Sequence, residues 1–128
     1  QRGVNTIVVM PIHSDVKFVD IIRRHYLGIL HQAGVKIYFY TQSNLHSKGL
    51  MIDNKIFSIS SANFDYRSFR YQYELALIGE ETSMIPQLRQ HFDSTLKHCT
   101  SFNYQEWKNR SIFKRLSEVI LLPFRYLF

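Results

Sequence analysis

Four polar residues near the middle of the chain have side chains that could act together on a phosphate ester. His46 and Lys48 stand two positions apart, and Ser61 and Asn63 repeat that spacing further along. A lysine supplies positive charge, while serine and asparagine donate hydrogen bonds to non-bridging oxygens. A histidine can attack phosphorus or carry the proton of the leaving group. The sequence offers no carboxylate pair or Cys/His cluster suited to a metal, so we expect no metal and no cofactor.

A β-hairpin would bring these four residues together. Two apolar runs, 47–52 and 56–60, flank Asp53-Asn54-Lys55, which suits a tight turn. If positions 54 and 55 form a two-residue turn, Lys48 pairs with Ser61 and His46 pairs with Asn63, with Cβ atoms about 4.5–5.5 Å apart. Side-chain alternation then leaves only apolar residues on the rest of that face, namely Leu50, Ile52, Phe57 and Ile59. Asp53 falls on the opposite face, and its interpretation is structural.

The elements around this hairpin predict an α/β fold. Val4–Met10 and Val35–Tyr40 are β-branched or aromatic runs that predict strands, and the helical spacing between them predicts a helix over 16–33. Ser14 or Asp15 is the expected N-cap, and Gly34 the expected terminator. A strand, a helix and a second strand predict a parallel pair with a right-handed crossover.

The second half of the chain predicts one further strand followed by helices. Tyr71–Ile78 has strand character, and after Gly79 the pattern is helical over 83–97, 104–110 and 112–127, with Pro123 interrupting the last. The final stretch is basic and amphipathic, so residues 103–128 are interpreted as a helical tail. It either packs against the sheet, which we favour, or lies on an anionic membrane surface.

Length and composition limit the class of protein to which the chain can belong. The chain has 128 residues, 45% of them hydrophobic, and its 16 Lys and Arg against 10 Asp and Glu leave a net charge of +6. These values fit one small globular domain that attracts phosphates, whether of lipid or of nucleic acid. No apolar stretch approaches the roughly 18 residues that a membrane span needs.

The spacing of the polar residues resembles the HKD motif of the phospholipase D superfamily, HxKx4Dx6GSxN. The matching positions are His46, Lys48, Asp53, Ser60, Ser61 and Asn63. The string NFDYRSF over 63–69 is similar to the one that follows the motif in bacterial cardiolipin synthases, and the resemblance runs from about residue 2 to about residue 98. Ser60 and Ser43 stand where the family usually has glycine. A side chain at either place would cost about 1 kcal/mol if the backbone needed a positive φ there.

The resemblance implies a role for each matching residue. His46 is the catalytic imidazole and Lys48 a catalytic phosphate ligand, while Ser61 and Asn63 complete the phosphate-binding site. Glu74 matches the acidic residue that accepts a hydrogen bond from the catalytic histidine and supports its positive charge. The implied fold is a phospholipase D-like mixed sheet flanked by helices, with a helical C-terminal segment.

The resemblance also implies an activity. Cardiolipin synthases join two phosphatidylglycerol molecules and release glycerol through a phosphohistidine intermediate, using two facing HKD motifs. This chain has one motif and opens on Gln1-Arg2-Gly3, so we expect it to be the second, C-terminal half of a longer two-motif enzyme. Its partners would be anionic phospholipid, the membrane surface, and either the missing N-terminal half or a second copy. The expected location is the cytoplasmic side of a bacterial membrane.

Two points stay open from sequence. For a second-half motif, the acid/base role is favoured for His46 over the nucleophile role. The alternative function is a phospholipase D-like phosphodiesterase or nuclease that acts as a single-motif homodimer, although we do not expect nucleic acid as the partner. A non-enzymatic scaffold is a third possibility, and the intact motif residues argue against it.

Overall fold

The computed structural model describes residues 3–127, with side chains through residue 126, and in this range it contains six strands and six helices. In chain order they are β1 (Ile7–Pro11), α1 (Lys17–Gln32), β2 (Lys36–Tyr40), β3 (Lys48–Ile52), β4 (Ile56–Ser60), α2 (Tyr66–Arg70), β5 (Ala76–Gly79), α3 (Met84–Leu96), β6 (Cys99–Ser101), α4 (Tyr104–Lys108), α5 (Ile112–Leu121) and the 3-10 helix α6 (Leu122–Leu127). This mixture confirms the α/β class. Arg2, part of the resemblance, lies outside the described residues.

The chain divides into two compact units. The first contains residues up to 45 together with 98–125, and the second contains 46–97 together with the C-terminal residues from 126. The first unit holds a mixed sheet in the order β1-β2-β6, and the second holds an antiparallel sheet in the order β3-β4-β5. The predicted strands are therefore shared between two three-stranded sheets.

The predicted strand-helix-strand unit is present in the first sheet. β1 and β2 are parallel, with Ile7 opposite Lys36 and Met10 opposite Phe39. Gly34 has a φ of +89°, a value that favours glycine, and it follows the end of α1 as expected. The third strand, β6, is antiparallel to β2 and places Tyr38 opposite Ser101. The prediction of only helices after Gly79 was therefore wrong, because a three-residue strand is too short to show alternation.

The start of α1 differs from its prediction. The N-cap is Val16, whose side chain cannot accept a hydrogen bond, rather than Ser14 or Asp15. Ser14 acts one turn earlier: its backbone N–H donates to both carboxylate oxygens of Asp20, at 3.0 and 3.1 Å, and its hydroxyl accepts from the Val16 N–H at 3.2 Å. The start of α1 is therefore held by bonds of Ser14 to Asp20 and Val16, whereas the sequence pattern predicted one N-cap side chain.

α5 packs against α1 with a carboxylate turned inward. Glu118 is 1% exposed and binds the guanidinium of Arg110 through both oxygens, at 2.9 and 2.8 Å, with Arg24 at 4.0 Å. Arg110 also lies over the ring of Trp107 at 3.9 Å, and the Trp107 indole N–H donates to the Arg24 carbonyl at 2.7 Å. The expectation that the final segment packs against the sheet is wrong for α5, which packs against α1 and buries the polar Glu118.

The second unit is built around the sheet β3-β4-β5. Phe57 is buried at 2% exposure, and its ring lies against Gly79 of β5, where the Cβ of any larger residue would be 3.1 Å from the ring. The strand predicted over 71–78 begins only at Ala76, because a short helix, α2, precedes it and residues 71–75 are irregular. In residues 3–127, no helix of either unit is long and apolar enough to span a membrane.

Candidate functional site

The register of the β3–β4 hairpin differs by one residue from the prediction. Lys48 lies opposite Ser60, and Ile52 lies opposite Ile56, so the turn contains three residues rather than two. Asp53 and Asn54 have φ values of 51° and 53°, and the Lys55 N–H donates to the Ile52 carbonyl at 2.9 Å. Aspartate and asparagine tolerate the left-handed region better than other residues with side chains, which explains the turn.

A one-residue shift moves every partner to the other face of the sheet. Lys48 and Leu50 share a face with Ser58 and Ser60, whereas Phe57 and Ile59 lie on the opposite face. The predicted pairs Lys48–Ser61 and His46–Asn63, and the face shared by Leu50 and Phe57, were therefore wrong. His46 precedes β3 and Ser61 and Asn63 follow β4, so all three lie where the two strands end.

Lys48 begins β3 and bends back over the preceding residues. Its ammonium Nζ donates to the His46 carbonyl oxygen at 2.8 Å, while the His46 side chain is exposed. An ammonium carries three N–H donors, so this contact still leaves donors for an anion. The bond links the positions of the two residues that the sequence singled out first.

Ser61 is held by the two residues that precede β5, Glu74 and Leu75. Its N–H donates to the Leu75 carbonyl and its Oγ accepts from the Leu75 N–H, both at 3.0 Å, and its hydroxyl donates to Glu74 Oε2. In the described part of the chain, the hydrogen-bond partners of Glu74 are Ser61 and Gln72, and His46 is not one of them. The structure thus brings Ser61 and Glu74 together. Support of His46 by Glu74 stays a prediction.

Asn63 is fixed through α2. Its backbone N–H donates to the hydroxyl of Ser68 at 3.2 Å, and Ser68 is only 5% exposed. The Ser68 N–H in turn donates to the side chain of Asp65, the N-cap of α2, at 2.7 Å. This cap explains why a helix begins at Tyr66 immediately after the motif.

Gln72 joins α2 to the acidic residue. In the amide orientation that satisfies all its neighbours, it donates to Ser68 Oγ at 3.2 Å and to Glu74 Oε1 at 3.1 Å, and it accepts from Arg67 Nε at 3.2 Å. The sequence interpretation did not assign roles to Ser68 or Gln72. The signal for α2 was present in the Asp65-x-x-Ser68 spacing, an N-cap followed by an N3 residue.

Of the remaining motif positions, Ser60 lies opposite Lys48, and Asp53 lies apart from this cluster. Asp53 is in the turn, at the other end of the strands from Lys48, which is about 17 Å along an extended strand. Within residues 3–127, positive φ values at residues other than glycine occur at Asp53 and Asn54, so neither Ser60 nor Ser43 needs the conformation of glycine. The Ser60 hydroxyl donates to the Ala62 carbonyl at 3.5 Å.

The four predicted site residues carry groups of the kind that bind phosphate oxygens in proteins. The arrangement combines an ammonium, a hydroxyl, an amide and an imidazole at the ends of two strands, with a carboxylate hydrogen-bonded to the hydroxyl. The residues that the structure describes include no group of three or more His, Cys, Asp or Glu that could hold a metal ion.

Comparison with known proteins identifies the family. Residues 1–96 match the family model described as cardiolipin synthase, PLD-like domain. A cardiolipin synthase of Clostridium perfringens strain SM101 is 34% identical over 119 residues, which are 93% of this chain and 25% of that protein. Cardiolipin synthase 1 of Bacillus anthracis is 33% identical over 116 residues, 91% of this chain and 23% of that protein.

A solved structure shows the same fold. NucT from Helicobacter pylori is similar with a TM-score of 0.61 at 21% identity, covering 79% of this chain and 67% of that one. The chain spans about a quarter of the length of the two cardiolipin synthases it matches. On the match over residues 1–96 and these identities, the chain belongs to the cardiolipin synthase family of phospholipase D-like domains.

Proposed function

We propose that the protein containing this chain is a phosphatidyltransferase of the cardiolipin synthase type, acting at the cytoplasmic side of a bacterial membrane. It would join two phosphatidylglycerol molecules and release glycerol. The observation that carries the proposal is the set His46, Lys48, Ser61 and Asn63 at the strand ends, within a stretch 34% identical to a cardiolipin synthase. The chain would lie in the C-terminal half of this enzyme and supply one of its two HKD motifs.

The proposed reaction has two steps. In the first, a histidine nitrogen of one motif attacks phosphorus of phosphatidylglycerol, and the bond from phosphorus to the glycerol oxygen breaks. The histidine of the other motif gives its proton to the departing glycerol. In the second, that histidine takes the proton of a terminal hydroxyl on another phosphatidylglycerol, whose oxygen attacks phosphorus and breaks its bond to the nucleophilic histidine nitrogen. The acid/base role is assigned to His46.

The other residues would stabilise the charge that develops on phosphorus oxygens. Lys48 contributes its ammonium, and Ser61 and Asn63 contribute neutral donors. The single hydroxyl proton of Ser61 is donated to Glu74 in the structure, so Ser61 would donate to a phosphate oxygen only after its O–H turns away from that carboxylate. Loss of Glu74 would therefore disturb Ser61 directly, in addition to any effect on the imidazole.

The test uses the full-length parent protein and labelled phosphatidylglycerol. We expect His46→Ala to lower cardiolipin formation by about 10²–10⁴-fold, the usual contribution of a general acid or base. His91→Ala is the matched control, since His91 is an exposed histidine of α3 in the same unit. Unchanged product in His46→Ala would remove His46 from the mechanism.

Trapping the intermediate separates the two histidine roles. If His46 is the acid/base group, His46→Ala still accumulates a phosphatidyl-enzyme. If it is the nucleophile, no covalent intermediate forms on this variant. A parallel assay with DNA tests the alternative function, and phosphodiester hydrolysis in place of lipid transfer would replace the proposal.

A further inference from the structure

The outer side of α5 is an apolar surface that the described residues of its unit leave exposed. We define the α5 apolar face by its five exposed members, whose relative exposures are 79%, 84%, 54%, 58% and 58%: Ile112, Phe113, Leu116, Val119 and Ile120. At 100° per residue these positions occupy one arc of about 120°, centred opposite Glu118. The helix therefore has a defined apolar side, and that side points away from α1.

The inward carboxylate fixes this orientation. Glu118 is 1% exposed and receives two hydrogen bonds from Arg110, so rotation of α5 to bury its apolar side would expose Glu118 and break both bonds. Burial of a carboxylate is favourable only when it is paired and hydrogen-bonded, as here. The outward position of Phe113 and its neighbours is thus a built feature of the first unit.

The charge of the segment indicates what would cover the face. Between residues 111 and 126 the charged side chains are three cations, Lys114, Arg115 and Arg125, and one carboxylate, the paired Glu118. The exposed charge is therefore wholly positive. Protein interfaces are depleted in lysine, whereas a helix with an apolar face and basic residues elsewhere is typical of binding to an anionic lipid surface.

We propose that α5 lies in the plane of an anionic membrane surface, with the α5 apolar face inserted at the boundary between headgroups and acyl chains. Only the identity of the lipid, phosphatidylglycerol, rests on the proposed function. Arg115, at the border of the α5 apolar face, would attract the headgroups, and Ile112, Phe113 and Ile120 would enter the apolar boundary. The proposal requires only insertion and charge attraction from α5, and no catalytic role.

Vesicle flotation of the chain tests the proposal. We expect binding to vesicles of phosphatidylglycerol mixed with phosphatidylcholine, and at least about tenfold weaker binding for Phe113→Gln/Ile120→Gln because both apolar side chains are lost from the inserted face. Val4→Gln/Ile29→Gln is the matched control, since Val4 and Ile29 are 72% and 51% exposed in the same unit but outside α5. This control should bind like the parent chain.

Charge gives a second variant. Arg115→Gln should weaken binding to the phosphatidylglycerol vesicles about fivefold, because Arg115 borders the α5 apolar face and a cation near an anionic surface contributes about 1 kcal/mol. It should leave binding to pure phosphatidylcholine unchanged. Circular dichroism of each variant checks that the exposed substitutions leave the fold intact.

Three results would overturn the proposal. The first is that the parent chain does not bind phosphatidylglycerol vesicles. The second is that Phe113→Gln/Ile120→Gln binds them as well as its control does. The third is that this variant loses self-association but keeps its binding to vesicles. The last result would identify the face as a protein contact. His46→Ala should bind vesicles like the parent chain, so failure of lipid transfer and failure of membrane binding are measured separately.

Discussion

Removing the partner of the buried Glu118 should destabilise the first unit strongly. In Arg110→Met, the two hydrogen bonds at 2.9 and 2.8 Å are lost and a carboxylate with 1% exposure keeps only Arg24, at 4.0 Å. Breaking a buried ion pair from one side costs about 3–5 kcal/mol. Because Arg24 offsets part of this cost, we expect a loss near 3 kcal/mol and a melting temperature lower by about 10 °C.

The loss of stability in Arg110→Met is set by the unpaired charge of Glu118. A double variant that removes this charge as well tests that explanation. Arg110→Met/Glu118→Leu removes both charges and should unfold within about 1 kcal/mol of the parent chain, since apolar replacement of a buried pair is often neutral or stabilising. The single tryptophan, Trp107, lies under the Arg110 guanidinium at 3.9 Å and reports on the same region. Urea unfolding would be followed by its fluorescence and by circular dichroism.

An exposed ion pair provides the matched control. Arg89 and Asp93 are joined at 3.0 Å, with side chains 50% and 48% exposed. Arg89→Met should therefore cost no more than about 1 kcal/mol. If Arg110→Met were no more destabilising than Arg89→Met, or if the double variant were as unstable as the single one, the reasoning about Glu118 would be refuted.

Three further predictions concern local geometry, each measured by thermal unfolding. Gly28→Ala should destabilise the fold by about 1–3 kcal/mol despite better helix propensity, because its Cβ would lie 2.1 Å from the ring of Trp107. Gly49→Ala, with its nearest contact at 3.7 Å, should be tolerated, and equal stability of the two would contradict this. Asp53→Val should cost about 1–2 kcal/mol relative to Asp53→Gly because its φ is 51°. Asp65→Ala should cost about 1 kcal/mol through loss of the α2 cap, and an unchanged melting temperature would exclude that cap.

The parts that sequence predicted well are those where local pattern and fold agree. The long amphipathic run of α1 and the stop at Gly34 lead directly to the parallel pair of β1 and β2. The elements it missed are short. α2 has five residues and β6 has three, and segments of this length are decided by a cap or by a neighbouring strand rather than by periodicity.

The candidate site was predicted in composition but not in register. The four polar residues were found because their types and spacing carry a chemical signal. Their pairing depended on whether Asp53 belongs to β3 or to the turn, and two apolar strands allow either register. The left-handed conformation at Asp53 and Asn54 decides between them, and it moves Ser61 out of the pairing with Lys48 into contact with β5.

Helix α5 shows a different limit of sequence patterns. Its periodicity locates an apolar side but does not show whether that side packs against protein. The orientation also depends on whether a residue of the polar side can be buried with a partner. Here the polar side holds Glu118, and Arg110 lies eight positions earlier, within the break between α4 and α5. A buried carboxylate left unpaired costs about 3–5 kcal/mol, which is at least as much as the gain of about 1.5–3 kcal/mol from fully burying one apolar side chain. The ion pair therefore turns the apolar side outward, toward whatever surface the whole protein meets there.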